Sequence, residues 1–124
     1  MKLFTLSEAN ELLPSVKQRL VSIQKLYAQI DHYRDSSRAA SAASQAGGGM
    51  PGGSRYVKAL FEVGKLTTEL NELGVQLKDY SRGLIDFPCL REGRVVLLCW
   101  QLGEDDKIQW WHDIDAGFAG RQRL

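Results

Sequence analysis

The sequence predicts an α+β fold: a long antiparallel helical hairpin packed on a small three-stranded antiparallel β-meander. Three observations carry that expectation. Two stretches repeat apolar residues at alternating spacings of three and four, a Gly-rich break separates them, and after Gly83 the apolar period shortens to that of strands. A chain of 124 residues is one domain by size, large enough for a single core and too small for two.

The first helix is expected over residues 5–35. Thr5 and Glu8 form the Ser/Thr-x-x-Glu pattern of a capping box, in which hydroxyl and carboxylate each satisfy an orphan backbone N–H. From there Leu6, Ala9, Leu13, Val16, Leu20, Ile23, Tyr27 and Ile30 line one narrow stripe, a seam like that of a coiled coil. Pro14 interrupts it. A proline lacks the donor for the helical ladder and crowds the preceding turn, so a kink or a fresh start is expected there.

Residues 36–55 read as a flexible connector, because Ser and Ala give way to Gly-Gly-Gly and Pro-Gly-Gly, a composition that buries nothing. The Ala-rich part is compatible with a longer first helix; the glycines are not. No Lys-Ser/Thr follows them and no strand precedes them, so they are not a phosphate-binding loop. The second helix is expected over residues 56–81, with Ala59, Val63, Leu66, Leu70, Leu73, Leu77 and Tyr80 on its seam. Lys58, Glu62, Lys65 and Glu69 alternate in sign on its outward side, a solvated face rather than a site. At 1.5 Å per residue it is about 40 Å long, more than one small core requires.

The meander is expected over 83–116, with Gly83 ending the second helix and turns at Glu92-Gly93 and at 103–106. Pro88 marks its strand as an edge or a bulged one. In the middle strand Val95, Leu97 and Cys99 share one face and Val96, Leu98 and Trp100 the other, so neither face is polar. The helices cover one. A second copy of the chain is the economical cover for the other, which makes Val96, Leu98, Trp100 and Trp111 candidates for a homodimer interface. The alternative is that the turn and tail, 117–124, fold back and plug that face with Phe118.

Composition narrows the partners. Sixteen Lys plus Arg against fifteen Asp plus Glu leave a net charge of +1, with no global field to draw in nucleic acid or a membrane surface. No apolar run approaches the roughly 18 residues that span a bilayer, and the N-terminal segment lacks the apolar core of a signal peptide. A cytoplasmic location is expected. Two cysteines, Cys89 and Cys99, are too few for a disulfide framework and lack Cys-x-x-Cys spacing.

The stretches "FTLSEANELLP", "GLIDFP", "LCWQLGE" and "WWHDIDAGFAGRQ" together resemble an uncharacterised bacterial family, domain of unknown function 2203. The resemblance covers nearly the whole chain apart from the connector. Its pattern matches Asp86, Pro88, Cys99-Trp100, Gly103-Glu104, Trp111-His112 and Gly117 to Arg121, and implies a small cytoplasmic bacterial protein with no assigned activity.

The residues of the last strand and tail are then weighed as chemistry. Cys99 as nucleophile with His112 as base is disfavoured by the apolar setting of the thiol and the absence of a nucleophile elbow. For a metal, His112, Asp113 and Asp115 with Glu104 or Asp86 supply donors, but alternation turns His112 and Asp113 to opposite faces; no metal and no cofactor are expected. A small anionic ligand is the better alternative, with Asp86, Trp100, Trp111, His112, Asp115 and Arg121 as candidate binding residues and Gly117 and Gly120 presenting backbone amides. The bland reading pairs Asp113 or Asp115 with Arg121 and uses the tryptophans as anchors. The sequence therefore points to a noncatalytic homodimeric interaction or scaffold module whose protein partner it does not identify. The competing expectation is a ligand-binding or enzymatic domain with its site in "WHDIDAGFAGR".

Overall fold

A computed structural model describes residues 1–43 and 52–124; the Gly-rich part of the expected connector, 44–51, lies outside the described residues. Helices α1 (Leu6–Ala43) and α2 (Gly53–Leu73) are followed by strands β1 (Gln76–Asp79), β2 (Leu84–Arg91), β3 (Arg94–Gln101), β4 (Trp110–Asp113) and β5 (Gln122–Arg123). The strands form one antiparallel sheet in chain order, with a short 3-10 turn, Phe118–Gly120, leading into β5. The α+β class is as expected. The sheet, however, has five strands where three were expected.

The capping box forms: the Thr5 N–H donates to Glu8 Oε1 at 2.8 Å and the Glu8 N–H to Thr5 Oγ1 at 3.1 Å. These bonds hold the Glu8 carboxyl below its ordinary range. The helix then continues through Pro14, so of the two expected outcomes, a kink or a fresh start, the fresh start does not occur. Pro14 is itself exposed, while Leu13 and Val16 beside it are buried at 2% and 0%, so packing on the sheet holds the helix across the missing hydrogen bond. Two bonds pin this end down. Ile108 N–H donates to Asn10 Oδ1 at 2.8 Å, and Phe4 N–H to the Pro88 carbonyl at 2.7 Å. At its other end α1 extends to Ala43, beyond the expected residue 35, because alanine is the strongest helix former.

The two helices run antiparallel along their contact: Arg19 lies 3.8 Å from Glu69, and the Tyr33 and Tyr56 rings stack at 4.5 Å. Ile30, Ala59 and Val63 close a small core between them. The second helix ends at Leu73, eight residues before the expected end. Gly74 takes φ +90°, its N–H bonds Asn71 O, and Val75 N–H bonds Leu70 O, a left-handed C-terminal cap. Leu77, placed on the helical seam by spacing, still packs on the core from β1, whereas Tyr80 in the following turn is exposed and stacks on Tyr27 at 3.7 Å. Gly83 instead shapes the turn into β2. A Cβ there would stand 2.4 Å from Leu102 Cδ1.

β2 is an interior strand, not the edge that Pro88 suggested. β1 pairs with it only from Leu84 to Asp86, so the side of Pro88 that lacks an N–H has no strand opposite, and its carbonyl takes the Phe4 N–H. The β2–β3 turn is the expected two-residue one, with Glu92 and Gly93 both at positive φ. The tail supplies the fifth strand: Arg123 pairs with Trp110 and Gln122 with Trp111.

Side-chain alternation divides the sheet. Ile85, Phe87, Val96, Leu98, Trp100 and Trp111 meet the buried side of α1 in the main core. The four residues expected at a subunit interface, Val96, Leu98, Trp100 and Trp111, are thus covered within one chain, at 0%, 1%, 1% and 7% exposure. The middle of the opposite face is closed as well, with Leu84, Asp86, Leu97, Cys99 and His112 all buried in the single chain, while Leu90 at its end is 58% exposed. The four named residues are therefore covered without a second copy, and on the far face apolar exposure is confined to the Leu90 end. Among the described residues no helix is long and apolar enough to cross a membrane.

Candidate functional site

The tight β2–β3 turn sets Asp86 opposite Cys99, and the β3–β4 register sets Cys99 opposite Trp110 and Leu97 opposite His112. Since alternate residues share a face, Asp86, Cys99 and His112 all project from the side away from the helices, on three adjacent strands. The imidazole reaches diagonally across β3. His112 Nε2 lies 3.1 Å from Asp86 Oδ1 and 3.2 Å from Oδ2, and Nδ1 lies 2.7 Å from the Asp113 carbonyl oxygen. One donor atom each from Asp86, Cys99 and His112 lie within 4.8 Å of one another.

Hydrogen-bond capacity constrains the protons. A carbonyl oxygen only accepts, so His112 Nδ1 carries a proton and donates it to Asp113. A second proton must then lie between Nε2 and Asp86, either on an imidazolium that donates to a carboxylate or on a carboxylic acid that donates to a neutral ring. Both arrangements have zero net charge. That neutrality is what lets two ionisable side chains sit at 2% and 3% exposure without an uncompensated charge.

Burial pushes the Cys99 thiol up to about 12, with the neighbouring Asp86 adding to the rise and the Arg121 guanidinium drawing it partly back. Cys99 is consequently a thiol, not the thiolate a nucleophile requires. Burial also raises the half-buried Cys89, against the pull of Arg91.

Arg121 borders this cluster. Its Nη1 donates to both Glu104 oxygens, at 3.0 and 2.9 Å, and Glu104 Oε1 also accepts the Gln101 N–H at 2.8 Å. The guanidinium lies 4.0 Å from the Phe118 ring centre and 4.8 Å from that of Trp110. Arg82 covers Phe118 at 4.1 Å and Arg123 covers Trp110 at 5.2 Å, which extends the stack to five alternating arginines and aromatics. Arg121 is thus engaged by carboxylate and rings, and its partner is Glu104 rather than Asp113 or Asp115. Asp113 pairs instead with Arg94 at 3.0 Å.

Of the six candidate binding residues, the structure brings Asp86 and His112 together and places Arg121 beside them through Cys99. Trp100 and Trp111 are on the helix side of the sheet; the Trp100 indole N–H donates to the Asp105 carbonyl at 2.7 Å, and Trp111 lies under Arg91 and Arg94. Asp115 is exposed in the turn after β4. The member that sequence reasoning left out of the ligand set is Cys99. A signal for it existed, because a two-residue turn at Glu92-Gly93 already dictates that position 86 faces position 99.

Comparison with curated proteins and with solved structures finds no match. The family profile described as "Uncharacterized conserved protein (DUF2203)" matches residues 2–124. That span includes both helices, every strand and the buried trio, and the chain belongs to this family.

Proposed function

We propose that the protein is a noncatalytic, homodimeric interaction module of the cytoplasm, with its self-association surface on the outward face of α2 rather than on the sheet. The observation that carries this reading is an apolar patch, Val57, Leu60 and Phe61, exposed at 64%, 40% and 71% on a helix whose other side is in the core. Patches of this kind on a charged surface mark contact sites. Beside it Gly64 leaves open space where a side chain would stand, room for a ring from a neighbouring helix.

The charges flanking the patch favour a second copy as the occupant. Lys58, Glu62, Lys65 and Glu69 follow one another at spacings of four, three and four on one flank. When two such helices pack antiparallel about a two-fold axis, that flank meets itself. With the midpoint between residues 63 and 64, Lys58 faces Glu69 of the partner subunit and Glu62 faces the partner's Lys65, and the reciprocal pairs form by symmetry. Exposed ion pairs of this kind add little affinity but fix register and orientation. Burial of the aromatic and aliphatic side chains supplies the affinity.

Size-exclusion chromatography with light scattering tests the reading. The wild-type chain is expected at twice its monomer mass, and Phe61→Asp at the monomer mass with an unchanged circular dichroism spectrum. Lys65→Glu is expected to weaken the dimer and the exchange Glu62→Lys with Lys65→Glu to restore it. A monomeric wild type, or a dimer indifferent to Phe61→Asp, sinks the reading. A second reading, a ligand-binding domain, draws on a separate observation, the buried trio.

A further inference from the structure

We propose that Asp86, Cys99 and His112 together bind one divalent transition-metal ion of the zinc type. The inference is independent of dimer formation. A thiolate, an imidazole and a carboxylate span soft to hard donors, the mixture that zinc accepts and that calcium or magnesium, with their all-oxygen shells, do not.

Two of the donors are already spaced for it, with the third nearby. Bonds of about 2.0–2.3 Å in a tetrahedral site imply donor separations of about 3.3–3.6 Å. The Nε2 to Asp86 distances of 3.1 and 3.2 Å are close to that, and all three donor atoms fall within 4.8 Å. Each stands on a different one of three adjacent strands, β2, β3 and β4, so the backbone ladder holds their spacing. The Nδ1–H bond to the Asp113 carbonyl aims Nε2 inward, the outer bond that metal-bound histidines ordinarily make.

Two further observations fit a ligand here. Gln101 Oε1 is shielded from solvent and finds no hydrogen-bond partner among the described residues. It is two residues from Cys99 on the same face of β3. The nearby Arg121 is paired with Glu104, and its remaining pull on Cys99 favours the thiolate form that a metal requires. Charge also balances on loading. The ion displaces the thiol proton and the proton shared by Asp86 and His112; two protons leave, one dication enters, and the buried charge is unchanged.

Titration of the chelator-treated full chain with Zn²⁺ and Co²⁺ tests the assignment. The expected result is one ion per chain, a rise in Tm with metal concentration, and for Co²⁺ a thiolate charge-transfer band with the visible bands of tetrahedral cobalt. Cys99→Ser should abolish the charge-transfer band, and Asp86→Asn should weaken zinc binding by roughly 10- to 100-fold or more. The chain has only two cysteines, so a band that persists in Cys89→Ala identifies Cys99 even if Cys99→Ser folds poorly. Absence of both the Tm rise and the band in the wild type, or a band that vanishes in Cys89→Ala, overturns the proposal.

Discussion

The two faces of this sheet both hold buried side chains and are differently specified. On the helix side, Phe87, Leu98 and Trp100 are held by shape and area; on the far side, Asp86 and His112 are held by directed bonds at 3.1 and 3.2 Å. The strands are the same, and alternation alone separates the two chemistries. Packing tolerates a change of volume in proportion to its size, whereas a buried polar pair is stable only while both members remain. The contrast shows that burial by itself does not identify the informative side; the buried polar group does.

The sharpest way to break that contrast is to remove one member of the pair. Asp86→Ala or His112→Ala should each cost about 3–5 kcal/mol by leaving its partner buried and unpaired, while Asp86→Leu combined with His112→Leu should cost much less. Urea denaturation of the metal-free chain measures both. Trp100→Ala should also cost about 3–5 kcal/mol, through a cavity that no second substitution at the pair repairs. Equal losses in the single and double variants of the pair would erase the distinction between the faces.

Alkaline pH should separate the faces next. The folded Cys99 thiol is raised from 9.0 to about 12, so the native state keeps a proton that the unfolded chain releases. Its contribution is full below the unfolded value and is lost as pH climbs from about 9 towards 12, at up to about 1.4 kcal/mol per pH unit. In chelator-treated protein Cys99→Ala should flatten this part of the stability profile; an unchanged slope would show that Cys99 does not cause it.

Much of this arrangement was legible in the sequence. Thr5 and Glu8 located the start of α1, its seam from Ala9 to Ile30 is the buried one, and Glu92-Gly93 marked the tight turn. What misled was the spacing of Leu73, Leu77 and Tyr80, which continues a helical period across Gly74 although the left-handed cap there ends the helix. Leu77 satisfies a strand period equally well, so apolar spacing could not arbitrate. The fifth strand was hidden for another reason: a two-residue pairing at Gln122–Arg123 depends on the neighbouring β4, not on any local pattern. For the site, the sequence offers Asp86 and Cys99 as separate companions of His112, and the metal reading is set aside on the divergence of His112 from Asp113, which is not a member of the trio.

Gly83→Ala probes the border between the faces, where β1 turns into β2. The added methyl would meet the Leu102 side chain at 2.4 Å in a backbone with φ +63°, so a loss of about 1–3 kcal/mol is expected in thermal or chemical unfolding. A smaller loss would show that Leu102 can move aside.

The smallest effect should distinguish the sheet from the outer face of α2. Gly64 has nothing within 4 Å of an added Cβ and lies inside a helix, so Gly64→Ala should stabilise an isolated chain by up to about 1 kcal/mol through helix propensity. In the proposed antiparallel pair the same methyl enters the point of closest approach between the two helices. Stability measured at low protein concentration should therefore rise while the dimer dissociates more readily, opposite signs that a solvent-facing glycine cannot produce. If both quantities rise together, the crossing point lies elsewhere on α2, and a scan of Val57, Leu60 and Thr68 would locate it.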